Sequence, residues 1–455
     1  MAKHHYKVGQ TVSGITKGYT SEGLGILYTE DNSRFFVKGL IDGEEAEAKI
    51  TYVGQRSSYA KLTKLITKSD KRIQPKCPVS TACGGCQFQH IAYDEQLKIK
   101  RGIVENAFRT IAKSDHPVDE CVASPMPYYY RNKMQIPLGL DKKGNIISGF
   151  YRARTHIIIP TPECVIENER SNGIIATIRA LMKSMRIPPY DEDKRSGVIR
   201  HILIRTSYYT PGLMVVLITN ADNFYSRNNF VKALTKAHPE ITTVVQNVNK
   251  RKTSVILGKR FRTLYGPGFI EDDILGIRFK ISPQSFFQIN PLQTENLYKI
   301  AIEKAEINNS HTVLDAYCGI GTISLIAARH AKKVIGVEIN SRAIRDARSN
   351  ANRNNIDNVE FYTADASDFM ENEAKLGSKY DVVIMDPPRK GSDEKFLNAV
   401  LTLEPKKVVY VSCNPGTLAR DITLLNKKYE IKSITPVDMF SQTYHVETVV
   451  LIERK

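Results

Sequence analysis

From Gly276 onward, short apolar runs alternate with helical stretches, and this alternation constrains the fold more than any other feature of the chain. Thr312–Asp315, Val334–Val337, Val359–Tyr362, Val382–Met385 and Lys407–Val411 are each rich in Val, Ile or Tyr, and each runs into a polar turn. Short apolar runs of this kind suit strands covered on both faces, and the helices between them supply the crossovers that parallel strands need. The spacing predicts a doubly wound sheet of the Rossmann kind, with Ile277–Ile281 ahead of it and Thr448–Ile452 closing it. In such a sheet the turns at the carboxyl ends of the strands surround one crevice, so the residues on those turns are the candidates for chemistry.

Two of these turns carry reactive side chains. Lys407–Val411 ends in Ser412-Cys413-Asn414-Pro415, and Asn-Pro stops a strand, so the Cys413 thiol is expected at the rim of the sheet. Val382–Met385 ends in Asp386-Pro387-Pro388-Arg389. Neighbouring parallel strands would bring both turns together, with Cys413 attacking a base and a co-substrate held beside Asp386. The first strand opens into Gly319-Ile320-Gly321-Thr322, a turn that lets backbone approach a ligand but lacks the third glycine of the dinucleotide fingerprint. Glu338 follows about 20 residues on, where a carboxylate accepts a ribose diol, and Asp365 lies at the third strand tip, placed to meet an adenine edge. A ribose without a pyrophosphate suits S-adenosylmethionine (SAM).

Ahead of this region, residues 6–66 contain five short strand-like segments separated by Gly-, Asp- and Asn-bearing turns, the spacing of a small barrel. Phe35 and Phe36 between Arg34 and Lys38 suit base stacking beside phosphate contacts. Cys77, Cys83 and Cys86 then fall within ten residues around Gly84 and Gly85, and Cys164 is available as a fourth thiol. Four thiolates suit zinc or a [4Fe–4S] cluster, and the uneven spacing leans toward iron–sulfur; the alternative is idle cysteines in a turn. Cys121 is read as packing. Residues 94–109 have helical apolar spacing, with Lys98, Lys100 and Arg101 on the other faces. Met126-Pro127-Tyr128-Tyr129-Tyr130-Arg131-Asn132-Lys133 could clamp RNA or fill a core. The strands that follow, among them 149–151 with Arg152 and Arg154, point to an α+β unit with a basic face. The net charge of +17 favours a polyanionic partner. No apolar run approaches the roughly 20 residues of a membrane span, and the polar start MAKHHYKVGQ has no secretory core. A cytoplasmic protein with reduced thiols is expected.

The turn motifs carry a resemblance to a known family. Asp386-Pro387-Pro388-Arg389-Lys390-Gly391, Val408 to Thr417 around Cys413, and Val437 to Glu447 resemble the signatures of the SAM-dependent RNA uracil-5-methyltransferases, over the whole chain. Ser441 stands where that family usually has proline. The resemblance implies Cys413 as nucleophile and Glu447 as base, with Gln288, Tyr317, Glu338 and Asp386 binding SAM and Asp365 near the adenine. Residues 1–67 resemble a TRAM domain, an OB-like RNA-binding barrel; 75–270 would be the central α+β domain and 271–455 the methyltransferase domain. Cys77, Cys83, Cys86 and Cys164 match the [4Fe–4S] ligands of the ribosomal RNA branch, so 23S ribosomal RNA is the expected substrate. Transfer RNA comes second, and a non-catalytic RNA-binding factor is the reading from another class. Neither DNA nor a membrane is expected as partner, and a monomer is.

Overall fold

The computed structural model describes residues 6–153, 155–253 and 255–455; Arg154 and the first five residues, both used above, lie outside them. The N-terminal strands β1 (Thr11–Tyr19), β2 (Gly25–Tyr28), β3 (Arg34–Val37), β4 (Glu45–Val53) and β5 (Ser58–Thr67) close into a barrel in the order β1-β2-β3-β5-β4. Period-two alternation fills it: Phe35 and Val37 of β3 and Ala46, Ala48 and Ile50 of β4 point inward, while Arg34 stands outside. Closure leaves no free edge. Tyr6 packs edge-on against Phe35, and β1 begins at Thr11, beyond the turn at Gly9 (φ +92°).

Barrel and body are fastened by a buried charge. The Glu44 carboxylate accepts Nε and Nη2 of Arg72, each at 2.6 Å, and the backbone N–H of Ile41. Ile41 itself belongs to the apolar core under the C-terminal sheet. The turn between β1 and β2 comes closer still. Gly23 has φ +71°, and a Cβ there would stand 2.7 Å from the Phe88 ring and from Cβ of Tyr444.

Helix α1 (Tyr93–Ala107) continues into a π-helical turn, Phe108–Ala112. Its apolar side, Ile99, Ile103, Val104 and Ala107, joins the core of the C-terminal sheet. Lys100, expected on a polar face, is fully buried instead, because its partner Asp438 lies 338 residues away and leaves no local pattern. The central sheet contains β6 (Lys133–Leu140), β7 (Ile146–Tyr151), β8 (Ile158–Pro160), β9 (Ile199–Thr206), β10 (Leu213–Thr219), β11 (Thr243–Val248) and β12 (Arg260–Tyr265), in the order β12-β11-β10-β9-β6-β7-β8. Strands β9 and β10 are buried along their whole length. Helices α2 (Glu169–Ser184) and α3 (Arg227–Ala237) contribute Ile174, Ile178, Phe230 and Leu234 to its core. Tyr130 resolves the reading of the tyrosine-rich segment at its own position, since it is 5% exposed and its hydroxyl donates to the Ser441 carbonyl (3.0 Å). Cys121 is buried, as expected for packing.

The hairpin β13 (Ile270–Ile274) and β14 (Ile277–Ile281) and helix α4 (Pro291–Ala305) lead into the last sheet. There β15 (Thr312–Asp315), α5 (Thr322–Ala328), β16 (Lys333–Glu338), α6 (Ser341–Arg353), β17 (Val359–Thr363), α7 (Ala366–Leu376), β18 (Val382–Met385), α8 (Glu394–Leu403), β19 (Lys407–Ser412) and α9 (Pro415–Leu425) alternate, before β20 (Tyr429–Val437) and β21 (Glu447–Arg454). The order is β17-β16-β15-β18-β19-β21-β20, and all pairs from β17 to β19 are parallel. This is the predicted α/β sheet of the Rossmann kind. Strand β20 carries no apolar run, because its sequence YEIKSITPV alternates and holds Pro436, which an edge strand tolerates. Strand β21 inserts antiparallel between β19 and β20. Among the described residues no helix is long and apolar enough to cross a membrane.

Candidate active site

The strand order reverses between β15 and β18, and reversal leaves a crevice above the carboxyl ends. Following the sheet from β17 to β21, the residues at the ends of successive strands are Asp365, Glu338, Asp315, Asp386, Cys413 and Glu447. All six line a single cavity of about 890 Å³, together with Gln288 and Tyr317. The seven residues assigned from the sequence to catalysis or SAM binding therefore face one space, whose volume suits a nucleoside with a tail and a base beside it.

On the β15 side the walls are built for a close-lying ligand. Gly319 has φ +57° with nothing within 4 Å of where a Cβ would be, so the turn leaves open space. Gly321 (φ +84°) has the opposite reason to be glycine, since a Cβ would press the Phe361 ring at 2.9 Å. Glu338 keeps its side chain at the tip of β16 by accepting the Asn340 N–H (2.8 Å) at one oxygen. Asp365 is exposed and caps α7 through the N–H of Ser367 (2.9 Å), a structural duty that its strand-tip position did not reveal. The main chain at Gln288 is held by Asn132, whose side-chain amide donates to the Gln288 backbone carbonyl (2.9 Å), and the Tyr317 hydroxyl meets Ser392 Oγ at 3.1 Å. Asp315 escaped the sequence reading although it ends a strand, the signal that picked out Glu338 and Asp365. It is 1% exposed, one oxygen has no partner, and burial pushes its carboxyl up to about 6.

On the other side, backbone register sets the pairing. Ser412 of β19 lies opposite Thr448 of β21, and the strands run antiparallel, so the next residues toward the rim, Cys413 and Glu447, come side by side. Cys413 directly precedes Asn414, the N-cap of α9, where the helix N-terminus favours a thiolate. Burial nevertheless pushes the thiol up to about 11, the neighbouring Glu447 and Asp386 add to this, and Arg389 pulls it back. Burial also raises Glu447 and Asp386 above the usual carboxylate range, and Asp386 adds to the rise at Glu447 while Arg389 opposes it. Arg389 donates to the His445 ring (2.8 Å to Nδ1), and burial beside that guanidinium lowers His445 to about 4, which keeps it a neutral acceptor. A thiol flanked by carboxyls that titrate near neutrality can add to an electrophilic carbon and exchange protons with it. Arg131, Phe440 and Thr443 also line this end; Arg131 came from the tyrosine-rich segment and was not assigned to the cavity.

Cys77, Cys83, Cys86 and Cys164 line a second cavity of about 150 Å³, with Glu167 and Arg131. Among the described residues no group of three or more His, Cys, Asp or Glu side chains is arranged to hold a metal ion. Gly85 and Arg131 border both cavities.

A family model described as tRNA (Uracil-5-)-methyltransferase matches residues 269–455. A Listeria innocua protein named as an uncharacterized RNA methyltransferase is 43% identical over 450 residues, covering 99% of this chain and 99% of its own. A Staphylococcus aureus protein with the same description is 41% identical over 456 residues, 100% of this chain and 99% of its own. Among solved structures, Pyrococcus abyssi tRNA (uracil-54, C5)-methyltransferase in complex with S-adenosyl-L-homocysteine superposes with a TM-score of 0.78 at 28% identity, over 97% of this chain and 99% of that one.

Proposed function

The chain belongs to the SAM-dependent RNA uracil-5-methyltransferase family, and from that premise we propose that it methylates C5 of a uridine in 23S ribosomal RNA, with Cys413 as nucleophile and Glu447 as base. The observation that carries the reading is the β19–β21 register, which sets the thiol and the carboxyl side by side at the cavity.

When bound, SAM supplies an electrophilic methyl group, and Gln288, Tyr317, Glu338, Asp365 and Asp386 are the residues that would hold it. The open space at Gly319 and the unpartnered oxygen of Asp315 fit such a ligand. Uracil C5 is too weak a nucleophile to take a methyl group unaided. The Cys413 thiolate adds to C6, forming the S–C6 bond and moving the C5–C6 electron pair toward C5 and O4. C5 would take the methyl group as the methyl's bond to the sulfonium sulfur of SAM breaks and leaves a neutral thioether, so that C5 then carries both methyl and hydrogen. The Glu447 carboxylate removes that hydrogen as a proton, the C5–C6 double bond reforms, and the S–C6 bond breaks to return the thiolate. A carboxyl raised toward neutrality suits this work better than an ordinary glutamate. Arg389, and any cationic ligand in the cavity, favour the thiolate. The uridine has to be unstacked to reach Cys413, so a loop or a flipped base is the expected target.

Ribosomal RNA is supported by the four-cysteine set through the resemblance described above. The second reading, transfer RNA, is favoured by the P. abyssi neighbour, which acts on tRNA uracil-54. That neighbour covers 97% of this chain, so the barrel does not separate the two. Mapping 5-methyluridine in ribosomal and transfer RNA from a strain lacking this protein decides between them. Loss from 23S RNA alone is expected, and loss from tRNA alone overturns the ribosomal assignment.

Four thiols line the second cavity, a donor set that suits a four-sulfur group, although as placed they form no metal-holding arrangement. Cys77, Cys83, Cys86 and Cys164 would hold a [4Fe–4S] cluster and so tie residues 77–86 to the segment before α2. Zinc is the alternative for the same four thiols, and the uneven spacing of the cysteines along the chain leans toward iron–sulfur.

A further inference from the structure

Resting on the reading of Glu447 as base, we propose that Lys100 and Asp438 are positioning residues for proton removal, a buried charged clamp that fixes the loop carrying Glu447. Residues 438–446 join β20 to β21. One side of this loop, through Phe440, Thr443 and His445, lines the main cavity. Its other side lies on α1.

There Lys100 and Asp438 form an ion pair with both side chains 0% exposed. Lys100 Nζ also donates to the Phe440 carbonyl (3.1 Å). The second Asp438 oxygen accepts two hydroxyls, Tyr93 and Ser441, each at 2.6 Å, and the Tyr93 oxygen accepts the Ser124 N–H (2.7 Å). One turn away, Gln96 and Gln442 exchange hydrogen bonds. The Gln96 amide donates to Gln442 Oε1 (3.1 Å) and the Gln442 N–H donates to Gln96 Oε1 (3.2 Å). Gln442 is held at φ +70°, a conformation that a non-glycine residue keeps only when its surroundings impose it. The N–H groups of Gln87 and Phe88 complete the restraint at its carbonyl, at 3.1 and 3.0 Å.

A fully buried ion pair is a poor source of stability, because desolvating two charges offsets their attraction and apolar replacements often fold as well. Its value lies in geometry. Two charges and four satisfied hydrogen bonds allow the loop one arrangement, and the next element it enters is β21, whose first residue is Glu447. Ser441 fits the same account: where the resembling family carries a stiff proline ring, this chain donates a hydroxyl to Asp438.

The test replaces both charges together, Lys100→Met with Asp438→Leu, so that neither is left buried alone. The enzyme is expected to fold and to bind SAM as before, with KM for RNA within about threefold. Its kcat is expected to fall tenfold or more, and a covalent Cys413–RNA adduct to accumulate during turnover, because methyl transfer outruns proton removal. An unchanged kcat per folded molecule with no adduct overturns the proposal, even if the melting temperature falls. Should the double variant not fold, Tyr93→Phe and Ser441→Ala are read the same way, with a smaller, roughly threefold fall in kcat and the same adduct. Glu447→Gln serves as reference. If it accumulates no adduct, the base assignment fails; if it does and the clamp variants do not, the clamp alone fails.

Discussion

A thiol that burial and two carboxyls hold near 11 is an unpromising nucleophile until something cationic joins it. Cys413 is therefore expected to act only in the loaded enzyme. Cys413→Ala should lower methyl transfer by at least about 10³-fold while SAM binding, followed by equilibrium dialysis, stays within about threefold; residual transfer near wild type would remove the nucleophile assignment. Glu447 gives two further outcomes. Its amide variant should trap RNA in an adduct that survives denaturing electrophoresis. Its titration also bears on stability. Burial raises the folded-state value, so the folded chain keeps a proton that the unfolded chain has released. The resulting stability is full below the ordinary carboxylate range and declines as pH rises through neutrality. Glu447→Gln removes this decline. Its unfolding free energy should match wild type near pH 5 and exceed it near pH 8 by on the order of 1 kcal/mol; equal stabilities at both would mean the carboxyl is not held protonated.

At the level of elements, the β1–β2 turn bears directly on the loop that ends at Glu447. Tyr444, which Gly23 abuts, leans on the His445 ring with centroids 4.1 Å apart. Gly23→Ala should push the barrel off this loop and lower kcat/KM about tenfold. Gly18→Ala, equally strained at φ +72° but with nothing within 4 Å, is its control and should lose only the backbone term of about 1 kcal/mol. Equal losses in the two variants would show that contact with Tyr444 carries nothing. What the chain discloses of its elements follows from burial. Strands covered on both faces are unbroken apolar runs, so β15, β18 and β19 were legible, and with the last two Asp386 and Cys413 at their tips. Edge strand β20 alternates like a surface segment and was not. The place of β21 between β19 and β20 is a matter of pairing, which no local pattern records. Lys100 was read as one more surface charge, because helical spacing sees its neighbours on α1 and not Asp438.

For the whole molecule, the two cavities share Gly85 and Arg131 in their walls, so the cysteine segment and the strand ends carrying Cys413 and Glu447 have two residues in common. Protein purified without oxygen should carry about four iron per chain, and Cys164→Ala should lose most of it; a stoichiometric zinc content would replace the cluster reading. Sheet order adds a matter of timing. Ribosomes extend chains at about 5–20 residues per second, and early segments begin folding before later ones exist. Strand β21 leaves the ribosome after every other strand of its sheet, yet its place is inside, against β19. A nascent chain can thus present Cys413 on β19 for several seconds without Glu447 beside it. By the time β21 slots in and brings Glu447 to the thiol, the barrel and the central sheet are already synthesised, so the two groups proposed to act on a uridine meet only once the rest of the chain exists.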